Sequence, residues 1–191
     1  MKRQLFNAVL DGAGITSYRW AHLEPGLYCF NFHRVGNDDG SAFHPNLYSC
    51  TGGEFSKIVD LLRSRFDMVG LDQVLKWVDT DTAPERPSGL ITFDDGYLDN
   101  FQVAFDVLKK ARCPGLFFLP TDFIGSGRIP WWDQIAWCIY KMGRGSLEVP
   151  GGARPVAIDP VDLEGSIRRV LRVVKDTPAI PVEEKVDSIL R

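Results

Sequence analysis

The chain has 191 residues, 45% of them hydrophobic and 25% charged, with a formal net charge of −3. That composition suits a globular chain with a real core and excludes a broad basic surface for nucleic acid. No apolar run approaches the roughly 20 residues that a transmembrane helix needs.

Residues 1–24 read as a helical lead-in. The apolar stretch 5–10 is too short and too interrupted for a secretory core, so a cytoplasmic location is expected, with peripheral membrane association as the lesser alternative. Residues 27–33 form a near-continuous apolar run, the pattern of a buried parallel strand. Residues 36–49 are a polar loop, with a turn at Asn37-Asp38-Asp39-Gly40. Thr51 and Glu54 fit a capping box that opens a helix carrying Phe55, Ile58, Val59, Leu61 and Leu62 on one face.

A short strand over 66–69 and a short helix over 71–78 come next. A Pro-containing loop then leads to Leu90-Ile91-Thr92-Phe93-Asp94-Asp95-Gly96-Tyr97, where a strand-forming run ends in two adjacent carboxylates and a glycine. Residues 99–110 read as a helix with Phe101, Ala104, Phe105 and Leu108 on one side, and 116–119 as a fourth strand. Beyond Pro120 the pattern turns helical: 132–142, a stretch with room for one small hairpin, a helix from Asp159-Pro160 onward, and a last one after Pro181.

Cys29, Cys50, Cys113 and Cys138 contain no Cys-x-x-Cys, which argues against a structural zinc site. Cys29 and Cys113 sit in or beside apolar runs and are expected to be buried thiols.

The carboxylate pair carries the chemistry. Parallel sheets and barrels place function where a strand's C-terminal end meets the next loop. Adjacent carboxylates repel unless a cation or a shared proton relieves them. Strand alternation would aim Asp94 and Asp95 to opposite faces, giving them different jobs. A purely structural Asp-Gly turn is the competing explanation.

Thr92-Phe93-Asp94-Asp95-Gly96-Tyr97 resembles the first motif of the polysaccharide deacetylases, carbohydrate esterase family 4, also called the nodulation-deacetylase homology domain. Phe30-Asn31-Phe32-His33-Arg34-Val35 is similar to that family's early Tyr-His-Arg-Val strand, with Phe32 in place of Tyr. Trp131-Trp132-Asp133 resembles the Trp-Trp-Asp of the branch with a helical insertion. The resemblance spans about residues 25–140.

It implies an α/β fold: an incomplete, distorted (β/α) barrel over 25–130, with a helical insertion over 131–191 after the fourth strand. It implies metal-dependent removal of N-acetyl groups from a polysaccharide or amino sugar. Asp94 would be the general base, Asp95 a ligand to a divalent metal, usually zinc, and His33 an active-site neighbour. Tyr97 and Trp132 are candidate substrate contacts by their aromatic faces, with packing on the helix start as the competing role of Tyr97. Burial competes with sugar stacking for Trp132, and a hydrogen-bonded structural role for His33.

A catalytic zinc usually takes three protein ligands. The family supplies two from a His-Ser/Thr-x-x-His motif after the acidic one, whereas His22, His33 and His44 all precede Asp94. The metal site is therefore expected to be incomplete in this chain. The chain stops at Arg191 inside a helical pattern, and a full barrel takes about 250 residues, so a truncated domain is expected. Four strands would leave a barrel edge unpaired and invite self-association. A non-catalytic carbohydrate-binding or assembly module is the alternative. Magnesium-dependent phosphoryl transfer is weaker, since no phosphate-cradling loop comes after the acids.

Overall fold

The computed structural model describes residues 20, 22–36 and 48–191. The expected turn at Asn37-Asp38-Asp39-Gly40, His44 and most of the lead-in lie outside them. The described residues divide into two compact units, one of 20, 22–36 and 50–119 and one of 48–49 and 120–191.

The first unit is a parallel sheet with helices. Its sheet strands are β1 (Gly26–Phe32), β4 (Asp67–Met68), β5 (Pro87–Phe93) and β6 (Leu116–Phe117). The short β2 (Arg34–Val35) also belongs to it, whereas only Cys50 of the short β3 (Tyr48–Cys50) does. The helices between them are α1 (Gly52–Arg63), α2 (Leu71–Asp79) and α3 (Phe105–Ala111). β5 is the central strand. It pairs along its whole length with β1, from Gly26↔Pro87 to Phe32↔Phe93. Its residues Ser88 and Gly89 also pair with β4, and Thr92 and Phe93 with β6. Those residues already face β1, so β4 and β6 must share the other edge of β5, one at each end. The described strands thus make an open parallel sheet.

Gly89 is needed for that crowding. A Cβ there would stand 2.8 Å from Met68 Sδ and 3.0 Å from Phe66 Cβ. Within β5, residues Ser88 to Phe93 are all buried. β1 differs from the continuous burial expected of it: its residues alternate, with Leu27, Cys29 and Asn31 exposed and Phe32 buried. Its apolar run therefore covers only one face of the strand, and Cys29 is an exposed thiol, not a buried one.

The core of this unit is aromatic. Phe93 stacks on Phe117 with centroids 4.6 Å apart, and Phe32, Phe55 and Phe93 contact one another at 5.1 to 5.7 Å. The Thr51 capping box forms as expected: the Thr51 hydroxyl accepts from the Glu54 amide, and the Glu54 carboxylate accepts from the Thr51 amide. Phe55, Val59 and Leu62 of α1 are buried, while Leu61 is exposed.

The helix expected over 99–110 begins differently. Asn100–Ala104 is a π-helical turn, and only then does α3 start. A π turn carries an extra residue and rotates the rest of the helix about its axis. Ala104 and Leu108 keep the inner face, but Phe101 and Phe105 are turned outward and stack on each other at 5.7 Å.

In the second unit, α4 (Trp131–Met142), α5 (Leu163–Asp176) and α6 (Val182–Leu190) pack with a small hairpin of β7 (Gly145–Leu147) and β8 (Val156–Ile158). Ile135, Ile139, Ile158, Ile167, Val170 and Ile189 belong to one buried cluster. The start of α5 is displaced from Asp159-Pro160. Asp159 Oδ1 accepts from the Val161 amide in a local turn, and Asp162 caps the helix by accepting from the Gly165 amide at 2.9 Å. Lys185, on the polar side of the last helical pattern by sequence, is 1% exposed. Its Nζ donates to the carbonyls of Val174 and Thr177 and to Thr177 Oγ1, satisfying the C-terminal end of α5.

Candidate active site

The acidic turn stands at the C-terminal end of β5. The Asp94 amide still donates to the Phe32 carbonyl at 3.0 Å, continuing the register with β1. Asp95 then takes φ 70° and Gly96 φ 63°, two consecutive left-handed residues. Asp tolerates that region better than most residues, but the conformation still costs about 1–2 kcal/mol. The extended strand geometry therefore ends at Asp94, and pleat alternation does not continue through Asp95. Asp94 and Asp95 are both half-buried.

Asp94 is held by a relay across two strands. Thr92 Oγ1 donates to Asn31 Oδ1 at 2.9 Å, and Asn31 Nδ2 donates to Asp94 Oδ2 at 2.9 Å. Thr92 and Asn31 are register partners, so the sheet itself aligns them. The bond from Thr92 fixes which end of the Asn31 amide faces Asp94. One oxygen of the carboxylate is thereby anchored.

The segment after Gly96 is tied to β2. Arg34 Nε donates to Asp99 Oδ2 at 2.7 Å, and the Val35 amide to Asp99 Oδ1 at 3.2 Å. The side chains of Arg34 and Asp99 are only 10% and 13% exposed. The Arg34 guanidinium also lies over the Tyr97 ring, 4.8 Å from its centroid. Behind the turn, Asn100 is buried, and its Nδ2 donates to the Asp94 carbonyl at 3.4 Å.

His33 directly succeeds the Phe32↔Phe93 pair, so it shares the C-terminal end of the sheet with Asp94, Asp95 and Tyr97. Trp132 belongs to the second unit. It lies in the first turn of α4, half-buried, edge-on to Trp131 at 5.5 Å and to Phe123 at 6.4 Å. Sequence reasoning passed over Asn31, Arg34 and Asp99 as site residues. Asn31 and Arg34 were visible only as members of the early strand motif, because their partners lie 63 and 65 positions away.

Among the described residues, no three His, Cys, Asp or Glu side chains group closely enough to hold a metal ion. Burial pushes the thiols of Cys50, Cys113 and Cys138 up from their ordinary range, with Glu54 adding to the effect at Cys50. That keeps them protonated and unsuited to metal ligation or attack. The described residues do not make up the three-ligand set of a catalytic zinc.

No family model matches the chain. Over 45 residues it is 47% identical to "Putative polysaccharide deacetylase YxkH" of Bacillus subtilis (strain 168), a match covering 24% of this chain and 16% of that protein. Among solved structures it is similar to IcaB from Ammonifex degensii, at 20% identity and TM-score 0.46, over 85% of this chain and 79% of that one. It is also similar to a de-N-acetylase from Aggregatibacter actinomycetemcomitans, at 17% identity and TM-score 0.45, over 55% and 42% of the two chains. The matched segment is about one sixth of the curated relative's length. Over that segment the chain is similar in sequence to a polysaccharide deacetylase.

Proposed function

We propose that the acidic turn serves the hydrolysis of N-acetyl groups on a polysaccharide or amino sugar. The observation that carries it is the Asp94 carboxylate, fixed by Asn31 at the C-terminal end of a central parallel strand. The 45-residue similarity to a polysaccharide deacetylase supports the same chemistry.

Asp94 acts as the general base. With Oδ2 anchored by Asn31, its other oxygen takes a proton from the attacking water. The water oxygen bonds to the acetyl carbonyl carbon. The proton held on Asp94 passes to the sugar nitrogen as the C–N bond breaks, leaving acetate and a free amine. Holding one oxygen limits the rotation of the carboxylate and aims the other.

Asp95 is assigned as a donor to a divalent metal, zinc by resemblance. The described residues do not complete such a site. His33 and Tyr97 are assigned as sugar contacts beside the turn.

Acetate release from N-acetylglucosamine oligomers, measured with and without added Zn²⁺, tests this function. Release by the unaltered protein and its loss in Asp94→Asn is the expected pair of results. Equal release by both removes Asp94 from the reaction. Sugar binding with no release under any metal condition favours a binding module.

A further inference from the structure

The second unit holds a groove of about 1010 Å³ lined by Arg154, Arg169, Arg172, Val173 and the residues of β8. Three guanidiniums on one groove stand out in a chain whose net charge is −3. By sequence the run Arg168, Arg169, Arg172, Lys175 reads as a solvated helix face. The structure divides it. Arg168 pairs with Glu164 along the helix, and the Lys175 ammonium lies over the Trp131 ring. Arg169 lines the groove while its Nη2 donates to Ser166 Oγ at 2.7 Å and its Nη1 lies 3.4 Å from an Asp162 carboxylate oxygen.

Arg172 and Arg154 have no carboxylate partner among the described residues. They reach the groove from two different elements, α5 and the segment before β8. Asp159 also lines the groove, and its Oδ1 is engaged by the Val161 amide. With Arg169 paired to Asp162, the lining carries Arg154 and Arg172 against the single carboxylate of Asp159. Guanidinium forks match the oxygens of phosphate and carboxylate groups. The volume exceeds what a single small anion fills, which suits a ligand with several charged groups.

We infer that this groove binds a multiply charged oxyanion ligand, one bearing two or more phosphate or carboxylate groups, with Arg154 and Arg172 as its main contacts. The site is independent of the acidic turn and of the hydrolysis assigned to it.

Isothermal titration at low salt with inorganic pyrophosphate and, separately, trigalacturonate tests it. Two variants are compared with the unaltered chain: Arg154→Ala with Arg172→Ala, and Arg168→Ala, which removes a cation outside the groove. At least one probe is expected to bind one to one and to weaken as salt is raised. Affinity is expected to fall at least about tenfold in the double variant and to hold in Arg168→Ala. Pyrophosphate alone identifies a phosphate-bearing ligand, trigalacturonate alone an acidic saccharide, and either supports the site. No saturable binding of either probe, or equal loss in both variants, overturns it. Unchanged circular dichroism in the double variant separates lost contacts from lost fold.

Discussion

Asn31 and Asp94 lie 63 positions apart, yet the Asn31 amide donates to the Asp94 carboxylate at 2.9 Å, because β1 and β5 run parallel in full register. Parallel pairing thus gives a catalytic assignment its geometry: the strand ends bring the two side chains side by side, and Thr92 sets the amide's orientation. The bond to a charged acceptor is of the stronger kind, about 1.5–3 kcal/mol. Asn31→Ala is therefore expected to lower the rate of acetate release by about 10- to 100-fold and, because Asn31 is exposed, to cost the fold less than the full value of the bond. A stability loss matching the activity loss would show a structural role instead.

Arg34 and Asp99 form a pair that is almost out of solvent. Removing one partner leaves the other charge buried and the Val35 amide without its acceptor. Asp99→Ala is expected to destabilise the first unit by about 3–5 kcal/mol. Urea unfolding monitored through the Phe-rich core checks it, and a loss below about 1 kcal/mol would contradict the burial of this pair.

Lys185 uses all three ammonium donors at the end of α5. Lys185→Met keeps most of the side chain's volume but takes the ammonium away from the carbonyls of Val174 and Thr177, while the Thr177 hydroxyl keeps its bond to the Val173 carbonyl at 2.8 Å. A loss of about 1–3 kcal/mol is expected. An unchanged midpoint in denaturant would mean that water replaces the lost bonds.

Asp162 titrates below its ordinary value of 3.8, chiefly because its carboxylate accepts from the Gly165 amide, with Arg169 adding to the effect. A carboxyl with a lowered folded pKa contributes stability above its unfolded pKa. That stability fades as pH falls through the folded value. Acidification from the ordinary aspartate range downward should therefore loosen the start of α5. Asp162→Asn keeps an acceptor but not the charge. It is expected to flatten this part of the pH dependence, measured as unfolding free energy across that range, and a curve identical to the unaltered protein's would exclude Asp162 as its source.

The range of each interaction decides how far the sequence could show it. The four parallel strands, the Thr51 capping box, the small hairpin and the last two helices all rest on local spacing, and the structure has each of them. The capping box is a three-residue rule, and strand runs declare themselves by composition. The π turn at Asn100–Ala104 was not legible, because an i+4 pattern does not announce an i+5 bond, and Phe101 and Phe105 ended on the wrong face as a result. Burial of Lys185 could not be read either, since a lysine at a polar position points to solvent unless a neighbouring helix offers free carbonyls. At the site, Asp94 and Asp95 were visible from their own motif. Asn31, Arg34 and Asp99 needed the fold to bring them there.

Leu98, Phe101, Phe118 and Leu119 are each more than half exposed and line one cavity of about 300 Å³ in the first unit. An apolar patch of this kind favours association. Sedimentation velocity should show a weight that rises with concentration, and Phe101→Ser with Leu119→Ser should abolish the rise. A single monomer boundary at every concentration would refute self-association through this face.

The most direct test is the rate of acetate release from N-acetylglucosamine oligomers by the protein and by Asp94→Asn, at matched stability and metal supply. Asparagine preserves shape and the neighbourhood of Asn31 but cannot take the proton from water. A fall on the order of 10²–10⁴-fold is expected for loss of a general base. A rate within about twofold of the unaltered protein, where a lost base would cost far more, would contradict the role of Asp94 and leave the acidic turn as a structural feature.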